Sequence, residues 1–73
     1  MNYVYSLNGA PFLGDFPSKH TALEAAIASC KLRAFGAARV RVADRVKLPS
    51  HPEVHRLFDL SEYEYNSDLG AIV

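Results

Sequence analysis

Asn8-Gly9 stands between two short aromatic-rich runs, Tyr3 to Leu7 and Pro11 to Phe16, and the second run leads straight into the alanine-rich stretch Thr21 to Ala28. Asparagine and glycine both tolerate positive φ, the backbone geometry of a tight hairpin turn. Tyr3, Tyr5 and Leu7 alternate with Val4 and Ser6, which is the period of a strand with one heavier face. The pattern predicts a hairpin, Asn2 to Leu7 paired with Pro11 to Phe16, and Gly14 inside the second strand predicts a bulge or the close approach of a neighbour. Ser18 is a good helix cap, and Thr21 with Glu24 makes a second candidate capping box. Leu23, Ile27, Cys30 and Ala34 then fall on one helical face, Lys31 and Arg33 favour the negative end of the helix dipole, and Gly36 supplies a stop. These features predict a helix over Ser18 to Phe35.

Arg39-Val-Arg-Val42 alternates with the valines on one side and the arginines on the other, so a third strand follows, with Val46 and Leu48 keeping the parity after a kink at Asp44-Arg45. Pro49 closes it. Ser50-His-Pro-Glu53 has the spacing of a capping box with proline in the first turn, and Val54, Leu57 and Phe58 lie on one helical face, which predicts a short second helix from His51 to Asp59. From Leu60 onward Glu62-Tyr-Glu-Tyr65 alternates like a strand while Ser61-Glu-Tyr-Glu64 repeats the cap spacing, and both readings stay open. The apolar end Gly70 to Val73 is expected to dock on the domain or on a neighbouring chain. The expected architecture is α+β, ββαβα: a three-stranded antiparallel sheet, formed by the hairpin and the Arg39 to Leu48 strand, packed on one main helix. Its expected core is Val4, Phe12, Phe16, Leu23, Ile27, Cys30, Val40, Val42, Leu57 and Phe58.

At 73 residues the chain, 1–73, makes a single domain near the lower limit for a hydrophobic core without disulfides or metals, and a catalytic cleft would compete for the same few apolar residues. Eight Lys and Arg balance eight Asp and Glu, which gives no bulk attraction to nucleic acid or to a membrane. One cysteine forms no intramolecular disulfide, and no apolar run approaches the roughly 18 residues of a membrane span, so a cytoplasmic location is expected. The even total hides a gradient. Arg39, Arg41, Arg45 and Lys47 stand against Asp44 in the third strand, whereas Glu53, Asp59, Glu62, Glu64 and Asp68 stand against Arg56 from Leu48 onward.

Candidate chemistry is sparse. His51 and His55 are four residues apart, but His-Pro-Glu-Val-His is not the His-Glu-x-x-His of zinc proteases, and no metal is implied. Cys30, beside Leu23 and Ile27, reads as a small buried hydrophobe rather than a nucleophile. The four glycines are scattered and form no phosphate loop, so no cofactor and no catalytic residue is assigned and the chain is not expected to be an enzyme. Arg39, Arg41 and Arg45 form a possible ladder for phosphates or a partner's carboxylates, or a solvated face neutralised by the chain's own acidic tail. Glu62, Tyr63, Glu64, Tyr65 and Asp68 combine carboxylates with aromatic anchors, a mixture suited to a basic protein surface, unless the tyrosines pack on the core.

The run Phe12-Leu-Gly-Asp-Phe-Pro-Ser18 followed by Ala22 and Ala25-Ala26 resembles a pattern common in small proteins of phages and prophages, a strand, a Gly-x-Phe-x-Ser junction and an alanine-rich helix. That resemblance covers about a quarter of the chain. It implies a binder that blocks host machinery, as anti-CRISPR proteins do, acting in the host cytoplasm, and no residue-level site. The same run is similar to the strand-to-helix junction of the three-stranded DNA-binding domains of plant ethylene-response factors and phage integrase arms. Those domains read DNA with arginines and tryptophans, which Asn2 to Phe16 lack. The expected function is therefore a non-enzymatic protein-binding module that inhibits a host complex, with nucleic-acid binding through Arg39 to Lys47 as the alternative and a homodimer as a third possibility.

Overall fold

The computed structural model describes residues 2–48 and 50–73, the side chains of 48 and 51–54 excepted. It contains β1 (Tyr3–Leu7), β2 (Leu13–Phe16), α1 (Lys19–Leu32), β3 (Ala37–Leu48), β4 (His51–Asn66) and β5 (Ala71–Ile72). The strands form one antiparallel sheet in the order β2-β1-β3-β4-β5, with α1 packed on one face. This corrects the expected ββαβα architecture: the sheet has five strands, and there is one helix among the described residues.

The opening hairpin forms with altered bounds. Asn8 and Gly9 take φ of 54° and 78°, and the Ala10 N–H bonds to the Leu7 carbonyl at 3.0 Å, which closes the turn. Residues 10–12 leave the ladder before β2 begins. Gly14 is the predicted irregularity: the β1–β2 register shifts between the pairs Tyr3–Phe16 and Tyr5–Leu13, and φ at Gly14 is 104°. A Cβ there would stand 2.2 Å from the Phe16 ring, which itself packs on Tyr5 with centroids 6.0 Å apart, so only glycine lets the strand bend at this point.

The largest correction concerns residues 51–59. The capping pattern at Ser50 is genuine as local sequence, but a helix of nine residues is short of the roughly 12–15 that hold without tertiary support, and its Val54, Leu57 and Phe58 stripe would need an apolar surface to cover. Pairing with β3 gives His51, His55, Arg56, Leu57 and Phe58 ladder partners instead. β4 runs for 16 residues against β3, from Ala37–Asn66 through Arg41–Glu62 and Val46–Arg56 to Leu48–His51. The kink expected in β3 at Asp44-Arg45 lies in β4: three steps from Phe58 to Ser61 oppose two from Asp44 to Val42, and Asp59 takes φ of 53°. Pro49 lies outside the described residues. The tail resolves as strand, turn and a short β5, and the chain end docks on its own domain, with Val73 exchanging both backbone bonds with Glu64 and Ile72 packed against the core.

Beyond the Tyr3–Asp44 pair, β1 has ended and β3–β4 continues as a two-stranded arm, which makes the molecule 45 Å long and only 18–20 Å across. This is why Leu57 and Phe58, expected in the core, are 43% and 47% exposed. Of the other expected core residues, Val4, Cys30, Val40 and Val42 are fully buried, while Phe12, Phe16, Leu23 and Ile27 are half-buried. The buried stripe of α1 is Ala22, Ala26 and Cys30; of the expected Leu23, Ile27, Cys30 and Ala34 line, Cys30 lies on it, and Ala22 and Ala26 take the places expected of Leu23 and Ile27. Small side chains let the helix axis approach the sheet, and Leu23 and Ile27 flank the contact rather than fill it.

Ser18 caps the helix as expected, its Oγ accepting the Thr21 N–H at 3.2 Å. The stop differs. Ala34, not Gly36, takes the left-handed conformation with φ of 57°, and the Phe35 N–H bonds to the Cys30 carbonyl while the Ala34 N–H bonds to that of Lys31, the paired bonds of a Schellman ending. An L-residue in that conformation costs roughly 1–2 kcal/mol, and the greater freedom of glycine in the unfolded chain returns about half of it. Ala34→Gly is expected to stabilise the protein by about 0.5–1 kcal/mol, read as a higher urea midpoint with an unchanged slope; an equal or lower midpoint would contradict this helix ending.

Candidate interaction surface

Alternation along β3 sends Val40 and Val42 toward α1 and Arg39, Arg41, Arg45 and Lys47 toward the outer face of the sheet. Glu62 and Glu64, paired with Arg41 and Arg39, share that face. The Glu62 carboxylate lies 3.7 Å from Arg39 Nε and 3.9 Å from Arg41 Nε. Half-exposed pairs at such distances contribute about 0–1 kcal/mol, so their effect is to cancel charge rather than to stabilise. Arg41 is held further: its guanidinium lies over the Phe12 ring at 5.8 Å, and its Nε is buried without a hydrogen bond. The loop after β1 folds back here, with the Ser6 hydroxyl donating to the Ala10 carbonyl at 2.5 Å, and Val4, Ser6 and Ala43 are buried on the face opposite the helix.

The eight residues singled out from sequence thus separate. Arg39, Arg41, Glu62 and Glu64 come together in one self-neutralised patch. Tyr63 and Tyr65 turn to the helix side, where Tyr65 is buried opposite Ala38 and Ile72 and Tyr63 packs against the core. Asp68 is exposed in the turn before β5, its N–H bonded to Asn66 Oδ1. Arg45 belongs to the base of the arm, where its N–H bonds to the Asn2 carbonyl. The arm holds what the sequence reading missed as surface. Val46, Leu57, Phe58 and Leu60 are 39–48% exposed beside Lys47, His55 and Arg56. The signal was there in part, since Arg45 to Leu48 keeps strand alternation, but the helical spacing of Val54, Leu57 and Phe58 pointed to a core.

One polar cluster ties the arm to the body. Lys19 Nζ, in the first turn of α1, lies 2.9 Å from Asp59 Oδ2 and 2.9 Å from Ser61 Oγ, and the Tyr3 hydroxyl reaches Asp59 at 3.5 Å. A lysine beside a serine invites comparison with Ser–Lys hydrolases, in which the amine must be neutral to take the hydroxyl proton. Here the hydrogen bond to Asp59 raises the Lys19 pKa above its ordinary 10.5, partly offset by desolvation, so the amine stays charged and the group works as a clamp. Burial pushes the Cys30 thiol up, with Arg33 opposing, and the side chain is fully enclosed, which suits an inert core residue. Among the described residues no group of His, Cys, Asp and Glu side chains could hold a metal ion; the His51 side chain lies outside them. Among them, too, no helix is long and apolar enough to cross a membrane.

Because Lys19 binds its proton more tightly when folded, the clamp contributes fully below about pH 10.5 and its contribution is lost as pH rises through the raised value. Lys19→Met is expected to lower stability at neutral pH, with the gap to the wild type closing above pH 10.5 in parallel denaturation curves. A gap that persists unchanged into that range would show that the lysine acts through its alkyl chain alone.

Compared with known proteins, the chain matches no protein-family model, no curated sequence and no solved structure.

Proposed function

We propose that this chain is a non-enzymatic binding module that presents the β3–β4 arm to another protein. The observation that carries this reading is the exposure of Val46, Leu57 and Phe58 on an arm beyond the reach of the helix, interleaved with Arg45, Lys47, His55 and Arg56. A small chain that leaves large apolar side chains in water, while its core is made largely of alanine and valine, forgoes stability that contact with a partner would restore. Apolar anchors flanked by arginine and lysine favour a protein surface bearing carboxylates. The role of a phage or mobile-element accessory protein that blocks a host defence complex is what the resemblance of the Phe12 to Ser18 junction adds, and it belongs to this same proposal. So does the location in the host cytoplasm.

The nucleic-acid reading has one supporting observation: a two-stranded ribbon has the width of the DNA major groove, and Arg45, Lys47 and Arg56 lie on it. Against it stand the neutralised Arg39 and Arg41 and the small number of free cations. Val46→Asp with Lys47→Glu tests both. The double variant is expected to keep the wild-type circular dichroism and lose the proteins that the wild type captures from host lysate; capture that persists would discard the arm as the contact surface. Duplex DNA titrated at about 50 mM salt and again at 200 mM separates the alternatives, since phosphate contacts predict a steep loss of affinity between the two. The protein-binding reading expects no measurable DNA affinity at either salt.

A further inference from the structure

We infer that Asn8-Gly9 is a modification site held closed by the fold, where the side-chain amide is lost and isoaspartate forms when the hairpin opens. Asn2 and Asn66 precede tyrosine and serine, whereas Asn8 precedes glycine, which has no side chain to hinder attack by its nitrogen. Hydroxide takes the Gly9 amide proton, and that nitrogen forms a bond to Asn8 Cγ. The Cγ–Nδ2 bond then breaks as Nδ2 takes a proton from water and leaves as ammonia, which restores the hydroxide. A second water opens the five-membered ring. Attack at Cγ leaves aspartate; attack at the main-chain carbonyl of residue 8 leaves Gly9 joined through Cγ, which is isoaspartate. The net change consumes one water and releases one ammonia, and both residues are exposed to solvent.

The folded turn withholds the geometry this reaction needs. Ring closure requires Asn8 Cβ and the Gly9 nitrogen on the same side of the Cα–C bond of residue 8. Positive φ at both residues, 54° and 78°, with the Ala10 N–H on the Leu7 carbonyl, makes the turn type I′. That type sets ψ of its first central residue at about +30°, where Cβ and the nitrogen lie on nearly opposite sides. The side chain is a second hold. Asn8 Oδ1 accepts the Arg39 N–H at 2.9 Å while the Asn8 N–H donates to the Arg39 carbonyl at 2.9 Å, so swinging Cγ toward Gly9 would leave β3 with an unpaired donor. Opening the hairpin removes both holds together. Aspartate keeps the acceptor and adds a carboxylate to the depression that Arg39 lines with Asn8 and Gly9, so the turn closes again. Isoaspartate inserts Cβ into the main chain, so two residues no longer span the turn as type I′ and the opening becomes irreversible. Damage thus accumulates with the time the hairpin spends open. This limit on the lifetime of the chain goes beyond the proposed partner binding and does not rest on it.

Peptide mapping by mass spectrometry after incubation of the full chain in mildly alkaline buffer is the test. The chain is incubated folded and in guanidinium chloride, with sodium chloride matching the ionic strength of the folded sample. The unfolded chain is expected to exchange the Asn8 amide for a hydroxyl while Asn2 and Asn66 stay intact, and the folded chain to do so at least about tenfold more slowly. Gly9→Ala is expected to remove most of the conversion in guanidinium chloride. Asn8→Asp is expected to keep the wild-type urea midpoint, and the isoaspartate chain, purified by chromatography and returned to native buffer, to unfold at a lower one. Equal rates in the folded and unfolded chain, conversion spread over all the asparagines, or an isoaspartate chain with the wild-type midpoint would each overturn the inference. No partner enters these measurements, so their outcome and that of the capture experiment are read separately.

Discussion

β4 carries one residue more than β3 between the pairs Asp44–Phe58 and Val42–Ser61, and the rest of the molecule depends on that insertion. Before it, the odd-numbered residues His55 and Leu57 share the outer face with Lys47 and Arg45; after it, the even-numbered Glu62 and Glu64 do. Without the extra residue Glu62 and Glu64 would point at the helix, and Tyr63 and Tyr65 would be in water. Burying two carboxylates in so small a core would cost far more than the strained residue does. Asp59 bears the positive φ, and its carboxylate is secured by Lys19 and Tyr3, so the backbone irregularity and the polar clamp are one device.

The same device shows how far the sequence could be read. The hairpin at Asn8-Gly9, the cap at Ser18, the alternation of Val40 and Val42 and the burial of Cys30 are local signals, set by backbone preference or a single face, and each is present in the fold. Residues 51–59 are different. Ser50 to Glu53 spells a helix start as well as any sequence can, and only the pairing with Val46 and Lys47, made across the chain, overrules it. Ladder formation depends on where a partner strand lies, which periodicity within a segment does not encode. The strand character of Glu62 to Tyr65 was visible, but which side was buried was not, because parity passes through a bulge that no glycine marks.

The candidate surface follows the same division. The arginine ladder and the acidic run were legible as charges; that Glu62 sits between Arg39 and Arg41 is a consequence of register. Cross-strand opposition of the two sets removes most of the field that either would project, and leaves the net charge of the arm, Arg45, Lys47 and Arg56 against Glu53, as its basic feature. A chain that is neutral overall is thus polar along its length.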